Sequence, residues 1–129
     1  MLHYAAAKSN VEMIELLVQM GFDVNLRGKT YQDSALDSAC HNGLLENAQA
    51  LLQLGAKIQQ QHSYNDPVFA AIIGNSPAAI ELLAAAGADL AKRYTLESGD
   101  NVDSYDFAVL RGASECAATI ARLSPRVLQ

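Results

Sequence analysis

The 129 residues have room for one compact domain, and the net charge of -5 argues against a nucleic-acid partner because the nine basic residues are scattered. No apolar run approaches the roughly 18 residues needed to span a bilayer, and the first residues lack the pattern of a signal peptide. Half of the residues are hydrophobic but only 6% are aromatic, so small side chains must supply much of the packing. We therefore expect closely stacked helices rather than a thick globular core.

A short phrase returns along the chain: an apolar residue, followed three positions later by a pair of small or apolar residues. It starts at Leu2, Leu36, Val68 and Tyr105, at intervals of 34, 32 and 37 residues. A period of about 33 residues indicates a stack of similar helical units, each of which buries its apolar faces only against its neighbours.

The first unit predicts two short helices. Leu2 and Ala5 mark the inner side of the first one. The second is predicted over residues 11–18, where apolar side chains recur at helical spacing. Asn10 is well placed to cap this second helix, and Gly21 is well placed to end it.

The other three units repeat this plan of a capping residue, a short helix, a turn, a second helix and a terminating residue. The predicted caps of their first helices are Ser34, Asp66 (followed by Pro67) and Asp103. Turns are predicted at Gly43 and Gly112, and Ser76-Pro77 is predicted to cap and begin the second helix of the third unit. The second helices are predicted over 45–52, from Pro77 to Gly87, and over 115–123.

The connectors between the units differ from one another. The first, at 26–33, is basic at its start, and the second, at 59–65, is polar and uncharged. The third is the longest, and residues 93–96 and 101–103 predict two short strands around a turn at 97–100. This insertion accounts for the 37-residue interval.

The repeated unit resembles the ankyrin repeat, from its helix start and alanine pair to its closing turn. The closings are Gly21-Phe22-Asp23-Val24-Asn25, Gly55-Ala56-Lys57-Ile58 and Gly87-Ala88-Asp89-Leu90. The resemblance implies an all-α solenoid of about four stacked helix-turn-helix repeats joined by β-hairpin-like loops. It implies one domain, 1–129, with repeats at about 1–33, 34–65, 66–102 and 103–129. The chain opens inside the first motif, without the usual leading hairpin.

One position departs from the family pattern. The histidine of the helix start is present only as His3 and is replaced by Asp37, Phe69 and Asp106 in the later units. The hydrogen bond that this histidine usually makes between repeats is therefore in doubt beyond the first unit.

The resemblance also implies where a partner binds, because hairpin tips and the exposed side of the first helices line the concave face of such stacks. The residues implied as partner contacts are Tyr31, Gln32, His41, Asn42, His62, Tyr64, Ile73, Tyr94, Glu97, Asp100, Leu110 and Arg111.

Each group of these residues has a structural alternative. In the first interpretation Ile73 and Leu110 form a contact patch, and in the second they are buried beneath the connectors. The three tyrosines are interface anchors or stack between neighbouring hairpins. The acids from Glu97 to Asp106 steer a basic partner or serve as caps and turn residues, the latter especially for Asp103.

The sequence predicts no enzyme. Cys40 and His41 are neighbours on one helix, so their side chains diverge by about 100°. The three histidines lack metal-ligand spacing, and the triplet at 28–30 lacks the rest of a phosphate-binding loop. We expect no catalytic residue, cofactor, metal or small-molecule substrate. Cys40 and Cys116 are predicted to be buried reduced thiols, which favours a cytoplasmic protein.

The predicted function is protein binding. The chain also resembles small bacterial ankyrin proteins that act as immunity proteins, which would make a basic toxin or effector its partner. The alternative is a regulatory or scaffolding segment of a longer ankyrin-repeat protein. No nucleic-acid or membrane partner is expected.

Overall fold

The computed structural model describes residues 2–8, 10–28 and 33–124, and within these ranges it contains eight α-helices. They are α1 Leu2–Ala6, α2 Val11–Gln19, α3 Ala35–His41, α4 Leu45–Gln53, α5 Pro67–Ile73, α6 Pro77–Ala85, α7 Ser104–Leu110 and α8 Ser114–Leu123. The strands β1 Tyr94–Thr95 and β2 Asn101–Val102 form one antiparallel pair. In the described ranges, none of the helices has the length and apolar character needed to traverse a bilayer.

The helices form four helix-turn-helix pairs that stack in chain order. The inner row consists of α1, α3, α5 and α7, each in contact with the next, and the outer row consists of α2, α4, α6 and α8. One continuous apolar core runs between the two rows. The predicted all-α solenoid of stacked helix pairs is confirmed.

The predicted caps begin the helices, because each side chain satisfies a backbone N–H that the helix leaves unpaired. Asn10, Ser34, Asp66, Ser76 and Asp103 all accept such hydrogen bonds. The side chains of Asp37 and Asp106 each accept a hydrogen bond from the backbone N–H of the capping residue, which completes two capping boxes. The local sequence therefore determines where these helices start.

Close approach of the inner helices depends on small residues. Ala39, Ala71 and Ala108 occupy the same position in α3, α5 and α7, and all three are fully buried. The approach is also close at Gly74, where an added Cβ would lie 2.2 Å from the carbonyl oxygen of His41. Only glycine fits between α3 and α5 at this point.

Polar side chains link successive pairs. The ring of His3 donates from Nε2 to the carbonyl of Asp33 over 2.8 Å, which is the histidine bond that the resemblance implied for the first unit. The buried amide of Asn47 donates to the carbonyl of Ala6 at the end of α1 over 3.0 Å. Phe69, in the histidine position of the third unit, packs instead in an aromatic cluster.

The connectors only partly match the predicted hairpins. The third is a β-hairpin in which Tyr94 pairs with Val102, as predicted. The second contains a 3-10 turn at Ser63–Asn65 instead of strands. The backbone N–H of His62 donates to Oδ1 of Asn65 over 3.0 Å, and this local bond competes with strand pairing. Residues 29–32 of the first connector lie outside the described residues.

We predict that Gly74→Ala lowers the free energy of unfolding by about 1–3 kcal/mol, because the methyl group overpacks the α3–α5 contact. Urea unfolding followed by circular dichroism measures the change. The neighbouring variant Asn75→Gly is the control. Asn75 has φ of 53°, which glycine adopts without strain, and its side chain accepts a long, weak hydrogen bond from Sγ of Cys116 at 3.8 Å, so this variant should lose less than about 0.5 kcal/mol. Equal stability of Gly74→Ala and the wild type would contradict the close approach.

Candidate partner-binding surface

A cleft of about 280 Å³ lies between the inner helices α3 and α5, and we call it the central cleft. Four of the predicted contact residues line it: His41 and Asn42 from the end of α3, Tyr64 from the second connector, and Ile73 from the end of α5. The remaining lining residues were not predicted from the sequence; they are Asp33, Asp37, Ser38, Ser63 and Ala70. Ser38 and Ala70 stand one helical turn before His41 and Ile73, so helical spacing was the signal that could have found them.

Apolar and aromatic side chains are exposed at the central cleft. Ile73 is 38% exposed, and Tyr64 is 58% exposed. The ring of Tyr64 stacks on His62 with centroids 5.0 Å apart and planes 4° from parallel. Ile73 is therefore not buried beneath the connectors, and the ring of Tyr64, which stacks on His62, lines the cleft.

The carboxyl group of Asp37 is the most buried polar group of the central cleft. Its residue is only 5% exposed. Burial raises the pKa of this carboxyl to about 7, against the lowering effects of the Ser34 hydrogen bonds and the charge of Arg27. Oδ2 accepts the Ser34 N–H over 2.8 Å, whereas Oδ1 has no hydrogen-bond partner among the described residues. The cleft thus contains an acid with unused acceptor capacity.

A second groove, of about 360 Å³, runs along the hairpin and α7, and we call it the hairpin groove. It brings together Asp100 and Leu110, two predicted contact residues that are distant in sequence. Leu110 is 60% exposed, and Val109 beside it is 56% exposed. Val109 was missed because its equivalents in the other pairs, Cys40 and Ile72, are buried.

Of the remaining predicted contact residues, Arg111 is exposed and lies over the Phe107 ring, with Cζ 5.8 Å from the centroid. Glu97 is exposed on the hairpin turn. Tyr31 and Gln32 lie outside the described residues. Six of the predicted contact residues thus line two separate surfaces, four at the central cleft and two at the hairpin groove.

Tyr94 is not on the surface, and its place among the contact residues was wrong. It is 8% exposed, and its hydroxyl donates to Oδ2 of Asp66 over 2.7 Å. Its ring packs edge-on against Phe69, with centroids 5.1 Å apart. Burial raises the pKa of Tyr94 and also that of Asp66. The tyrosine anchors the hairpin to α5.

The acidic stretch of the hairpin is partly neutralised by a base that precedes it. Arg93 places Nη1 3.7 Å from Asp103 and Nη2 3.5 Å from Asp106. Asp103 also caps α7, as the structural alternative proposed. Glu97 and Asp100 are thus left as the exposed acids of the hairpin.

Both cysteines are buried thiols without a disulfide, and burial raises the pKa of each. Across the part of the chain that the structure describes, no three His, Cys, Asp or Glu side chains are grouped so that they could hold a metal ion.

The chain is similar in sequence to known ankyrin-repeat proteins. A family model described as "Ankyrin repeats (3 copies)" matches residues 1–62. The human ankyrin repeat and SOCS box protein 6 is 32% identical over 109 residues, which cover 78% of this chain and 25% of that protein. The rice protein named probable E3 ubiquitin-protein ligase XBOS32 is 38% identical over 64 residues, which cover 50% of this chain and 13% of that protein.

The crystal structure of the human ASB11 ankyrin repeat domain superposes with a TM-score of 0.78 at 30% identity, covering 98% of this chain and 55% of that one. The chain thus spans about a quarter or less of the curated relatives and about half of the solved domain.

We predict that Tyr94→Phe lowers the free energy of unfolding by about 1–3 kcal/mol, because it removes a donor from the buried carboxyl of Asp66. Urea unfolding measures the loss. Tyr4→Phe is the matched control at a position that is 70% exposed, and it should change stability by less than about 0.5 kcal/mol. If both variants have wild-type stability, the hydroxyl of Tyr94 does not support the hairpin.

We predict a pH-dependent stability difference between the wild type and Asp37→Asn. The folded pKa of about 7 lies above the usual value of 3.8, so the folded chain retains a proton that the unfolded chain releases in this interval. The stability of the wild type relative to Asp37→Asn should therefore fall, by roughly 1–4 kcal/mol, as the pH rises from about 4 to about 8. Urea unfolding across this range tests the sign; a constant difference would contradict the raised pKa. Asp66 is present in both proteins, so its own titration cancels.

Proposed function

The chain belongs to the ankyrin-repeat family, and on that basis we propose that it is a non-enzymatic protein-binding module that holds a partner against its inner helices and connectors. The observation that carries the proposal is the central cleft, in which exposed apolar and polar side chains stand on a fixed helical frame. Ile73 and Tyr64 supply apolar and aromatic contact area, and Asn42 and His41 supply hydrogen-bonding groups.

The rigidity of the frame supports this function. The ends of α3 and α5 are locked by the Gly74 contact, and the second connector is closed by the His62–Asn65 bond. A surface that is ordered before binding loses little conformational entropy when the partner arrives. The hairpin groove, with Leu110 and Asp100, offers a second contact area on the same stack.

A more specific candidate is an immunity protein that neutralises a basic toxin or effector. The net charge of -5 and the exposed acids Glu97 and Asp100 support it, because complementary charge speeds association with a basic partner. The neighbouring gene tests this candidate: a toxin gene supports it, and a housekeeping operon counts against it.

The alternative is a regulatory or scaffolding segment of a longer protein. It is supported by the relatives, in which the matched repeats are only part of a longer chain. A longer native reading frame would favour it. For either candidate we propose a cytoplasmic location, which the two buried thiols support.

The double variant Tyr64→Ala with Ile73→Ala tests the central cleft as the binding surface. The matched control is Leu16→Ala with Leu45→Ala, which removes two exposed leucines from the outer helices. We expect the wild type and the control to capture the same proteins from source-cell lysate, and the cleft variant to fail to capture some of them. Calorimetry with the captured protein, once purified, should show at least about tenfold weaker binding for the cleft variant, since two interface anchors are removed.

Thermal unfolding of each variant separates lost binding from lost folding. Equal affinity of all three proteins for the captured partner would contradict the assignment of the binding surface to the central cleft.

A further inference from the structure

The lining of the central cleft has the chemistry of a site for a long cationic side chain. Among the described residues, two carboxyl groups, those of Asp33 and Asp37, line it, and neither a lysine nor an arginine does. Ala70 and Ile73 supply an alkyl wall, and Tyr64 supplies an aromatic one. At about 280 Å³ the cleft is smaller than most sites for drug-sized ligands, which are roughly 300–1,000 Å³.

We infer that the central cleft takes an arginine side chain of the partner protein, whose guanidinium binds Asp37 and Asp33 while its methylene stem packs on Ile73. The inference rests on the proposed protein-binding function and specifies which chemistry the partner presents. Arginine fits better than lysine because its planar group offers five N–H donors to paired carboxylate oxygens and stacks on aromatic rings.

The buried carboxyl of Asp37 is the second, independent indication. Its residue is more than nine-tenths buried, and Oδ1 has no hydrogen-bond partner among the described residues. A buried acceptor without a donor costs free energy, and a guanidinium N–H would recover it once the cleft lining shifts to uncover Oδ1, which is itself buried. The negative charge of Asp33 adds to the attraction, and the positive charge of Arg27, which also acts on Asp37, opposes it in part.

The fourth helix pair contains an equivalent of Asp37 that already pairs with a guanidinium. Asp106 occupies the position of Asp37, and like Asp37 it completes a capping box. The guanidinium of Arg93 lies 3.5 Å from Oδ2 of Asp106. A capping-box aspartate of this fold therefore accepts a guanidinium without loss of its bond to the helix start.

Nuclear magnetic resonance titration of the whole chain with N-acetylarginine amide tests the inference directly. The titration is run at about pH 8, above the pKa of about 7 of the Asp37 carboxyl. We expect saturable shifts at Asp37, His41 and Tyr64. N-acetylcitrulline amide, which has the same shape without the charge, should bind at least tenfold more weakly. Shifts that do not saturate, or that citrulline reproduces at equal concentration, would overturn the inference.

Two isosteric variants locate the site. Asp37→Asn and Asp33→Asn should each weaken N-acetylarginine amide binding at least fivefold, and Glu46→Gln, which removes one exposed charge from the outer helix α4, should not. Asp33 is not part of a capping box, so its variant keeps the test valid if Asp37→Asn unfolds. Wild-type binding by a folded Asp33→Asn variant would overturn the carboxylate assignment.

The captured partner protein separates the inference from the proposed function. If Tyr64→Ala with Ile73→Ala abolishes the complex but Asp33→Asn and Asp37→Asn do not, the function holds and the arginine assignment is wrong. If N-acetylarginine amide saturates the cleft but none of the four substitutions weakens binding of the captured partner, the cleft binds arginine and the proposed partner surface is wrong.

Discussion

The stack depends on how closely successive inner helices approach. A pair of helices of five to ten residues cannot bury its apolar faces alone, so each pair is stable only against its neighbours. Alanine at positions 39, 71 and 108 and glycine at position 74 make that approach possible. The approach in turn sets the spacing of the exposed residues, so the cleft between α3 and α5 is a product of the same packing that holds the core together.

Polar groups at the interfaces order the connectors as well as the helices. Asp66 receives hydrogen bonds from the Val68 backbone, the Gln60 amide and the Tyr94 hydroxyl, and thereby ties a helix start to two connectors. The aromatic cluster, in which Phe69 and Tyr94 pack together with Val102, fixes the hairpin on the same helices. The exposed acids of the hairpin are therefore presented from a rigid element, which favours binding without rearrangement.

One repeated position shows how the individual site arises. The position is occupied by His3, Asp37, Phe69 and Asp106. His3 links two helix pairs, and Asp37 lines the central cleft. Phe69 belongs to the aromatic cluster, and Asp106 forms an ion pair with Arg93. The helical frame is the same each time, and the side chain alone changes the outcome. The departures from the family pattern were visible in the sequence, but their separate roles depended on neighbours that only the fold provides.

The sequence by itself determined the elements whose causes are local. Caps such as Asn10 and Ser34 act within three residues, and helical spacing and the third hairpin are equally short-range, so the all-α stack was predictable. Tertiary structure alone decided the burial of Tyr94, the exposure of Val109 and the meeting of Asp37 with Tyr64. These depend on contacts between residues about 25 or more positions apart, such as Phe69 and Tyr94, or on which helix pair covers a face, and neither propensity nor periodicity contains that information.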